Sequence, residues 1–408
     1  MTGPACRNCG NANLETVLDF GPMPLANALL TSDQLDAPEP RYPLALAFCS
    51  TCYLAQITHV VAPELLFRDY AYFSSVSDAM VEHARRLVDR VADSRELGPG
   101  SLVIEIASND GYLLQHYVNR GIPVLGIDPA RNIAEAATAR GIPTLAEFFG
   151  VDVAESLRAR GQTADVVHAN NVLAHVPDIH GFLAGIATIL KPAGIAVFET
   201  PYVRDLVDRL EFDTIYHEHV FYYSLSSIVE LMSRHGLTVA DVERHAIHGG
   251  SLRVTVAHDG AASPAPAVAA LLNEEERIGL RSVESFRGFA DRVRALGDEL
   301  TATLAELKAS GQSIAAYGAA AKGAVLLNAF RIDARTIDFV ADRSPHKAGR
   351  FMPGVRIPVA SADRLANARP DVCLLLTWNF ADEILEQQAA YRAAGGRFLI
   401  PVPEPRWA

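Results

Sequence analysis

Two pairs of cysteines near the N-terminus constrain the fold of this chain more than any other feature. Cys6 and Cys9 form one Cys-x-x-Cys pair, and Cys49 and Cys52 form the second. The two-residue spacer lets both sulfurs of a pair face one metal ion, so the four thiolates can surround a tetrahedral zinc ion. Because four cysteines leave no coordination position open, we expect this zinc to stabilise a small N-terminal domain and to perform no chemistry. The gap between the pairs is long, so further elements must fold within it.

Disulfide bonds are the alternative for the same cysteines, and they form in oxidising compartments. Residues 1–6 (MTGPAC) contain no basic region followed by an apolar stretch, so we expect no signal peptide and a cytoplasmic location. That location favours zinc over disulfides. The fifth cysteine, Cys373, lies in the apolar run of residues 372–376 (VCLLL), and we interpret it as a small buried side chain of a strand.

The charge and hydropathy of the chain limit its partners. The net charge of -12 argues against binding to a nucleic-acid backbone, which requires clustered Lys and Arg residues. No apolar run is long enough and sufficiently free of charge to span a bilayer, so we expect no membrane partner. A small-molecule ligand with one local basic pocket remains compatible with this composition, and both a monomer and a homodimer stay open.

Strand-like and helical patterns divide the chain into four parts. Two parts alternate apolar runs with helical stretches, which predicts two mostly parallel sheets with crossover helices. Between them, residues 259–266 (DGAASPAP) look like a linker, and one long amphipathic stretch follows from about residue 267 to residue 309. We therefore predict an α/β protein with a zinc-binding domain at 1–68, an α/β domain at 69–262, a linker and helical segment at 263–311, and a second α/β domain at 312–408.

The first α/β region contains the features of a nucleoside-binding sheet edge. Residues 102–107 (LVIEIA) predict a buried strand, and the small-residue turn 108–111 (SNDG) leads from it into a helix. Ligands bind outside the carboxyl ends of parallel strands, where small residues allow a close approach of the backbone. The candidate ligand-binding residues of this segment are Glu105, Ala107, Asn109 and Gly111.

Three later strand ends extend the same edge. Asp128 ends the second predicted strand, where its carboxylate can accept hydrogen bonds from two ribose hydroxyls. Glu147 and Phe148 end the third strand beside the expected adenine ring, and Asn170 lies in the fourth, residues 164–171. The region lacks the Gly-x-Gly-x-x-Gly of dinucleotide enzymes, and its glycine spacing better suits a methyltransferase that binds S-adenosylmethionine. In the alternative interpretation, the acids only cap helices of a parallel sheet.

At residues 105–111 (EIASNDG) the chain resembles the first motif of the sugar C-methyltransferases of antibiotic deoxysugar pathways. The resemblance extends over essentially the whole chain and includes residues 216–219 (YHEH), 248–253 (HGGSLR), 317–323 (YGAAAKG) and 377–380 (TWNF). It implies a class I, Rossmann-like methyltransferase core between the N-terminal zinc-binding domain and a C-terminal Rossmann-like domain that binds a nucleotide sugar. Ala107 departs from the family pattern, in which glycine is expected.

Carbon methylation sets a chemical requirement on the second half of the core. A C–H bond next to a ketone is acidic enough for removal of the proton by a general base with a pKa near the working pH, and the developing enolate oxygen needs hydrogen-bond donors. Histidine suits the first role, and Tyr or His suits the second. The cluster at residues 216–219 follows the fifth predicted strand, residues 195–199, and His175 follows the fourth, so both segments lie at the carboxyl edge of the sheet.

The resemblance implies a role for each residue of this cluster. His219 is implied as the base, with Tyr216, Glu218 and His175 around the reacting sugar carbons. In a helix His217 points away from His219, and we interpret it as a packing residue. The two histidines are two positions apart, unlike the zinc ligands of a His-Glu-x-x-His motif.

The implied substrate is a nucleotide-linked sugar. The resemblance indicates a dTDP-linked 4-keto-6-deoxysugar that is methylated at C3, and it places the aromatic segment with Tyr70, Tyr72 and Ser74 over the sugar, with Asn171 nearby. Methylation at C5 of a related sugar, O- or N-methylation, and a non-catalytic nucleotide-sugar module remain alternatives. A base beside the cofactor separates C-methylation from O- or N-methylation, which rarely needs a C–H base, and from simple binding, which needs no base at all.

Basic residues of the C-terminal region are candidates for contacts with the diphosphate. Small residues at the strand-to-helix turn of residues 317–323 allow backbone N–H groups to face an anion. Lys322 lies in this turn, and Arg343, Lys347 and Arg350 follow the next predicted strand. The alternative for each of these side chains is a solvated surface charge.

Overall fold

The computed structural model describes residues 5–67 and 74–408, which form three sheets. The N-terminal region contains β1 (Leu14–Met23), β2 (Tyr42–Cys49), β3 (Ala55–Ile57) and α1 (Pro63–Phe67). Its three strands pair in antiparallel fashion in the order β1-β2-β3. Strands β1 and β2 lie between the two cysteine pairs, so the long gap between the pairs contains the first hairpin of this sheet.

The middle region alternates strands and helices, as the sequence pattern predicts. Its elements are α2 (Asp78–Ser94), β4 (Val103–Ile106), α3 (Leu114–Asn119), β5 (Val124–Ile127), α4 (Arg131–Ala139), β6 (Thr144–Leu145), α5 (Val151–Ala159), β7 (Ala164–Asn170), α6 (Ile179–Ile189), β8 (Leu190–Pro201), α7 (Val203–Asp208), β9 (Phe221–Tyr222), α8 (Leu225–Ser233), β10 (Leu237–His245) and β11 (Ser251–His258).

Seven of these strands form the central sheet, in the order β10-β11-β8-β7-β4-β5-β6. The five strands β4 to β8 run parallel to one another, and β11 is antiparallel to both β8 and β10. All four residues of β4 are buried because helices cover both faces of a parallel sheet. From β4 the chain adds β5 and β6 on one side, and it then crosses to the other side of β4 to add β7 and β8. Ligands of such sheets bind at this switch point between β4 and β7.

Strand β9 does not join the central sheet. It pairs with β3 of the N-terminal region and becomes the fourth strand of that sheet, with Ala55 opposite Tyr222. The backbone on either side of this pairing is also fixed, because Ile57 N–H donates to Val220 C=O at 2.9 Å and Val220 N–H donates to Ala174 C=O at 2.7 Å. The segment immediately after residue 219 is therefore held by the N-terminal sheet.

The helical segment after the central sheet contains two helices instead of the single long stretch that the sequence indicated. They are α9 (Pro266–Arg277) and α10 (Val283–Ala309). Gly279, with φ of 76°, ends the first helix in a left-handed turn that residues with a side chain rarely adopt. The fully buried Glu275 anchors α9 to the middle region, since its carboxylate accepts the N–H groups of Leu225 and Ser226 at 2.7 and 2.8 Å, at the start of α8.

The C-terminal region forms a second, mostly parallel sheet. Its elements are β12 (Ile314–Tyr317), α11 (Ala321–Ala329), β13 (Val340–Asp342), β14 (Val359–Ser361), α12 (Asp363–Ala368), β15 (Val372–Leu375), α13 (Ala381–Gln387), α14 (Ala389–Ala393), β16 (Arg397–Ile400) and β17 (Arg406–Trp407). The strand order is β14-β13-β12-β15-β16-β17, with β17 antiparallel to β16. Cys373 is fully buried in β15, as expected.

The predicted α/β fold with two mostly parallel sheets behind a small N-terminal domain is confirmed. Helix α10 packs on the N-terminal sheet, because Phe286 of this helix stacks on Phe48 of β2 with ring centroids 4.5 Å apart. None of the helices in the described residues is long and apolar enough to cross a membrane.

Candidate active site

The four paired cysteines converge on one point. The Sγ atoms of Cys6 and Cys52 are 3.5 Å apart, as are those of Cys9 and Cys49, and all four lie within 4.8 Å of one another. A tetrahedral zinc ion with Zn–S bonds of about 2.3 Å requires sulfur–sulfur separations of about 3.8 Å. The side-chain amide of Gln56 donates to Cys6 Sγ at 3.2 Å, and hydrogen bonds of this kind orient the ligands of a metal ion. This set of residues fits structural zinc.

The loop after β4 has an unusual backbone. Ala107 and Asn109 have φ angles of 52° and 48°, and Gly111 has 81°. A left-handed conformation costs a residue with a side chain roughly 1–2 kcal/mol, which explains why glycine is expected where Ala107 stands. A Cβ atom at Gly111 would lie 2.1 Å from Ile142 Cδ1, so this position tolerates only glycine without rearrangement.

Asp128 directly follows β5 and shapes this loop. Its Oδ2 accepts Asn109 N–H and its Oδ1 accepts Ala130 N–H, both at 2.9 Å. Asp128 is 6% exposed, and burial raises the pKa of its carboxyl group, while the two backbone N–H groups act in the opposite direction. Each carboxylate oxygen has capacity for one further hydrogen bond, so the predicted contacts with ribose hydroxyls remain open to Asp128.

Buried polar atoms without partners mark the switch point between β4 and β7. Among the described residues, Glu105 Oε2, Ser108 Oγ and Asn170 Oδ1 are buried and accept or donate no hydrogen bond. Burial, together with the nearby Asp128 and Asp110, raises the pKa of Glu105 well above its usual value. Buried polar groups are normally satisfied, so three unsatisfied atoms at a sheet edge indicate a polar ligand. They fit the amino acid and nucleoside groups of S-adenosylmethionine.

Of the remaining residues predicted to bind the cofactor or the sugar, some have hydrogen bonds near this edge and others are exposed. Glu147 and Phe148 are exposed and lie beyond β6, which ends earlier than predicted, at Leu145. Ser74 N–H donates to the side chain of Asn109 at 2.8 Å, so the segment that precedes α2 is tied to the cofactor loop. Asn171 has a φ angle of 57° and donates its N–H to Glu199 C=O at 2.6 Å. Tyr70 and Tyr72 lie outside the described residues.

His219 has a defined tautomer. Its Nδ1 lies 2.7 Å from Thr214 C=O, which can only accept, so Nδ1 carries the proton. Its Nε2 therefore presents a lone pair, which accepts a hydrogen bond from the hydroxyl of Tyr216 at 3.1 Å. Burial, and then the nearby His175, lower the pKa of His219 to about 3, so the ring is neutral at neutral pH. This pKa is below the expected one near the working pH, because the buried site disfavours the charged imidazolium.

The other residues of the cluster lie around His219. The His175 ring is 4.9 Å from the His219 ring, and its Nδ1–H donates to Glu218 C=O at 2.7 Å. The Glu218 carboxylate accepts the Asn27 side-chain amide at 2.7 Å, and burial raises its pKa. His217 points away, as the packing interpretation expected, and lies 3.3 Å from the carbonyl oxygens of Tyr42 and Pro43.

The four basic residues of the C-terminal region that were predicted to contact the diphosphate do not form one binding pocket. Lys347 Nζ donates to Ala319 C=O at 2.8 Å within its own domain. Arg343 lies 3.5 Å from Glu383 on the surface, and the side chain of Arg350 is exposed. Only the ammonium of Lys322 lies close enough to the histidine cluster to lower the pKa of His219.

Sequence reasoning missed an acidic pair beneath this cluster. Glu211 and Asp213 precede Tyr216 and are buried, and burial raises their pKa values to about 7 and about 6. The charge of Lys322 opposes both shifts. Asp213 Oδ2 accepts the indole N–H of Trp378 at 2.6 Å. Two acids within a few residues of a histidine cluster were the available signal, but nothing in the sequence shows that they face the C-terminal domain.

Family models match nearly all of the chain. A "Putative zinc binding domain" matches residues 6–67, a "Methyltransferase domain" matches residues 78–242, and a "C-methyltransferase C-terminal domain" matches residues 246–403. The chain is 39% identical over 405 residues to C-methyltransferase NovU of Streptomyces niveus, which covers 98% of this chain and 96% of that protein.

More distant similarities cover less than half of the chain. A ubiquinone biosynthesis O-methyltransferase of Rhodopseudomonas palustris (strain TIE-1) is 34% identical over 118 residues, which is 29% of this chain and 46% of that enzyme. Among solved structures, magnesium protoporphyrin IX methyltransferase of Synechocystis PCC 6803 with bound SAM shares 16% identity, with a TM-score of 0.34 over 47% of this chain and 86% of that chain.

Proposed function

The chain belongs to the S-adenosylmethionine-dependent C-methyltransferases with a zinc-binding N-terminal domain, and on that premise we propose that it methylates C3 of a dTDP-linked 4-keto-6-deoxysugar. The 4-keto group makes the neighbouring C3–H acidic. Removal of that proton leaves its electron pair as an enolate, which is the carbon nucleophile that the reaction needs. S-adenosylmethionine supplies the methyl group as an electrophilic sulfonium substituent when bound.

The observation that carries the proposal is the lone pair on His219 Nε2. Thr214 C=O fixes the proton on Nδ1, and the lowered pKa of the ring keeps Nε2 unprotonated at neutral pH. A neutral imidazole at the carboxyl edge of the cofactor-binding sheet can accept a proton from carbon. Methyl transfer to oxygen or nitrogen rarely needs a base that removes a proton from carbon, and binding alone needs no base at all.

Tyr216 is the donor that we assign to the enolate oxygen. In the free site its hydroxyl is 3.1 Å from His219 Nε2 and donates to it. Once Nε2 has taken the C3 proton it becomes a donor, and the Tyr216 O–H then turns to the developing negative charge. His175 is less suited to this role, because its Nδ1–H is already used by Glu218 C=O and its Nε2 is an acceptor.

The cofactor belongs at the β4–β7 switch point in this proposal. The unsatisfied atoms of Glu105, Ser108 and Asn170 support a polar ligand there, and Asp128 borders the same loop. The sugar nucleotide then lies between this edge and the C-terminal domain. Lys322 supports that arrangement, since its charge acts on the same histidine that we assign as the base.

The test is the product formed from S-adenosylmethionine and a dTDP-4-keto-6-deoxysugar. We expect a mass gain of one methyl group that survives mild hydrolysis, with a carbon-bound methyl at C3 in the carbon NMR spectrum. In heavy water with S-adenosylhomocysteine, the enzyme should also exchange the C3 proton for deuterium without methyl transfer. A methyl group at C5, exchange at C5, or a methyl group on oxygen or nitrogen would each refute the C3 assignment.

A further inference from the structure

The carbonyl group that orients His219 belongs to a short 3-10 helix, Phe212–Thr214, where several parts of the molecule meet. Phe212 is fully buried, and its ring centroid lies 6.2 Å from that of Phe20 in β1 and 4.9 Å from that of Phe330 after α11. Gly297 of α10 makes room for Phe330, because a Cβ atom there would lie 2.7 Å from the ring. This helix is therefore packed by both flanking domains.

Asp213, the middle residue of the same helix, is bound by the C-terminal domain. Its Oδ2 accepts the indole N–H of Trp378 at 2.6 Å. Asp213 is fully buried, and its Oδ1 has no partner among the described residues. Lys322 lies over the same indole, with Nζ 4.6 Å from the ring centroid. The motif at residues 377–380 thus supplies the hydrogen bond that restrains this acid.

Thr214, the last residue of the helix, connects this restraint to the base. Its C=O accepts the Nδ1–H of His219 at 2.7 Å. A shift of the helix would turn the imidazole or release the proton to the other ring nitrogen, and either change removes the lone pair from its working position. Errors of about 1 Å in such positions can cost about 10²-fold in rate.

We propose that Trp378 is a positioning residue that orients His219 from the C-terminal domain, through Asp213 and the carbonyl of Thr214. The C-terminal domain then has a part in base catalysis, beyond any contact with the nucleotide. This inference rests on the proposed function in one respect only, the assignment of His219 as the base.

The first test compares the two tryptophans of the chain. Trp378→Phe removes the indole N–H and keeps an aromatic ring beneath Lys322. Trp407→Phe is the matched control, because Trp407 is exposed and has Arg397 4.5 Å from its ring centroid. We expect Trp378→Phe to slow heavy-water exchange and kcat about tenfold or more, with the affinity for S-adenosylmethionine and the melting temperature nearly unchanged. Trp407→Phe should match the wild type.

Variants of the acid test whether the two residues act through one bond. Asp213→Asn keeps an oxygen that can accept the indole N–H, so it should retain more activity than Asp213→Ala. The double variant Trp378→Phe/Asp213→Ala should be no slower than the slower single variant. Effects that multiply would mean independent roles and would overturn the proposal.

A measurement without substrate separates this proposal from the proposed function. In histidine-labelled protein, nitrogen NMR reports which nitrogen of His219 carries the proton, and the signal is assigned by its loss in His219→Asn. We expect the Nδ1–H form in the wild type and a mixed or inverted population in Trp378→Phe. An unchanged tautomer, or a loss of cofactor binding and thermal stability along with activity, would reduce Trp378 to a packing residue. Failure of the wild type to act on the sugar would refute the function and leave the tautomer test standing.

Discussion

The two parallel sheets use the same device at their carboxyl edges. In the central sheet, Asp128 accepts one N–H from the loop after β4 and one from Ala130. In the C-terminal sheet, Asp342 accepts Ala319 N–H, from the loop after β12, and Ser344 N–H, both at 2.8 Å. Each acid ties the loop after the first strand of its sheet to the end of the neighbouring strand.

The two edges differ in what is left for a ligand. Lys347 lies 3.5 Å from Asp342 and also binds Ala319 C=O, so the C-terminal edge satisfies its own charge. Within the described residues, no cation contributes to the pKa of Asp128, and unsatisfied buried atoms such as Glu105 Oε2 lie at the same edge. Similar backbones can therefore have different ligand capacity, which is decided by a few side chains beyond the strand ends.

The largest expected effect is the loss of catalysis when the histidine base near the edge of the central sheet is replaced. His219→Asn should bind both ligands and lower kcat by ~10²–10⁴, because loss of a positioned base has that effect. It should also abolish heavy-water exchange. His346→Asn, an exposed histidine near the C-terminal edge, is the control and should be fully active. Near wild-type turnover of His219→Asn would transfer the role of base to His175 or Glu218.

The next effect concerns cofactor binding. Asp128→Ala should weaken the affinity for S-adenosylmethionine at least about tenfold, since hydrogen bonds to charged groups contribute roughly 1.5–3 kcal/mol. Asp342→Ala, the same change at the other edge, should leave that affinity within about twofold. Calorimetry measures both. Equal losses in the two variants would mean that the edges are not functionally distinct.

Lys322 tests whether the C-terminal edge acts on the chemistry. Lys322→Ala should raise KM for the sugar nucleotide and leave cofactor affinity unchanged. The ammonium group lowers the pKa values of Glu211 and Asp213, which are about 7 and about 6. Without it both values rise, so these acids take up protons at a higher pH, and the loss of kcat/KM on acidification should begin at a higher pH. Lys347→Ala should leave the acidic side of the pH profile of kcat/KM unchanged. An unshifted profile for Lys322→Ala would contradict the assignment of Lys322 as the cation that acts on these acids.

The smallest expected effect lies in the two loops. Ala107 has a left-handed backbone at the first edge, whereas Gly318, with φ of 99°, follows β12 at the second. Ala107→Gly should raise the free energy of unfolding by about 1 kcal/mol or less, because relief of strain exceeds the added chain entropy. Gly318→Ala should destabilise the protein, since its Cβ would lie 2.5 Å from Thr377. Urea unfolding measures both, and destabilisation by Ala107→Gly would show that the alanine is not strained.

Local sequence patterns predicted the cofactor loop and the cysteine cluster, but they could not predict the contact between the histidine cluster and the C-terminal domain. Asp128 and the loop after β4 follow from a strand, a turn and a helix that are contiguous in sequence. The cysteine pairs could also be predicted from the sequence, because the spacing within each pair reflects the geometry of the metal. The bond between Asp213 and Trp378 joins residues 165 positions apart, and no local pattern encodes it. The break between α9 and α10 was missed because one turn at Gly279 interrupts a stretch that is helical on both sides.

The pairing of β9 with β3 also determines the order in which the chain can fold during synthesis. When the N-terminal region leaves the ribosome, β3 has an open edge, because Tyr222 and its neighbours do not yet exist. Open strand edges pair readily with other chains, so this interval favours protection by a chaperone. For the same reason, an exchange of N-terminal domains between related enzymes must bring the matching β9 with it, although that strand is encoded far downstream.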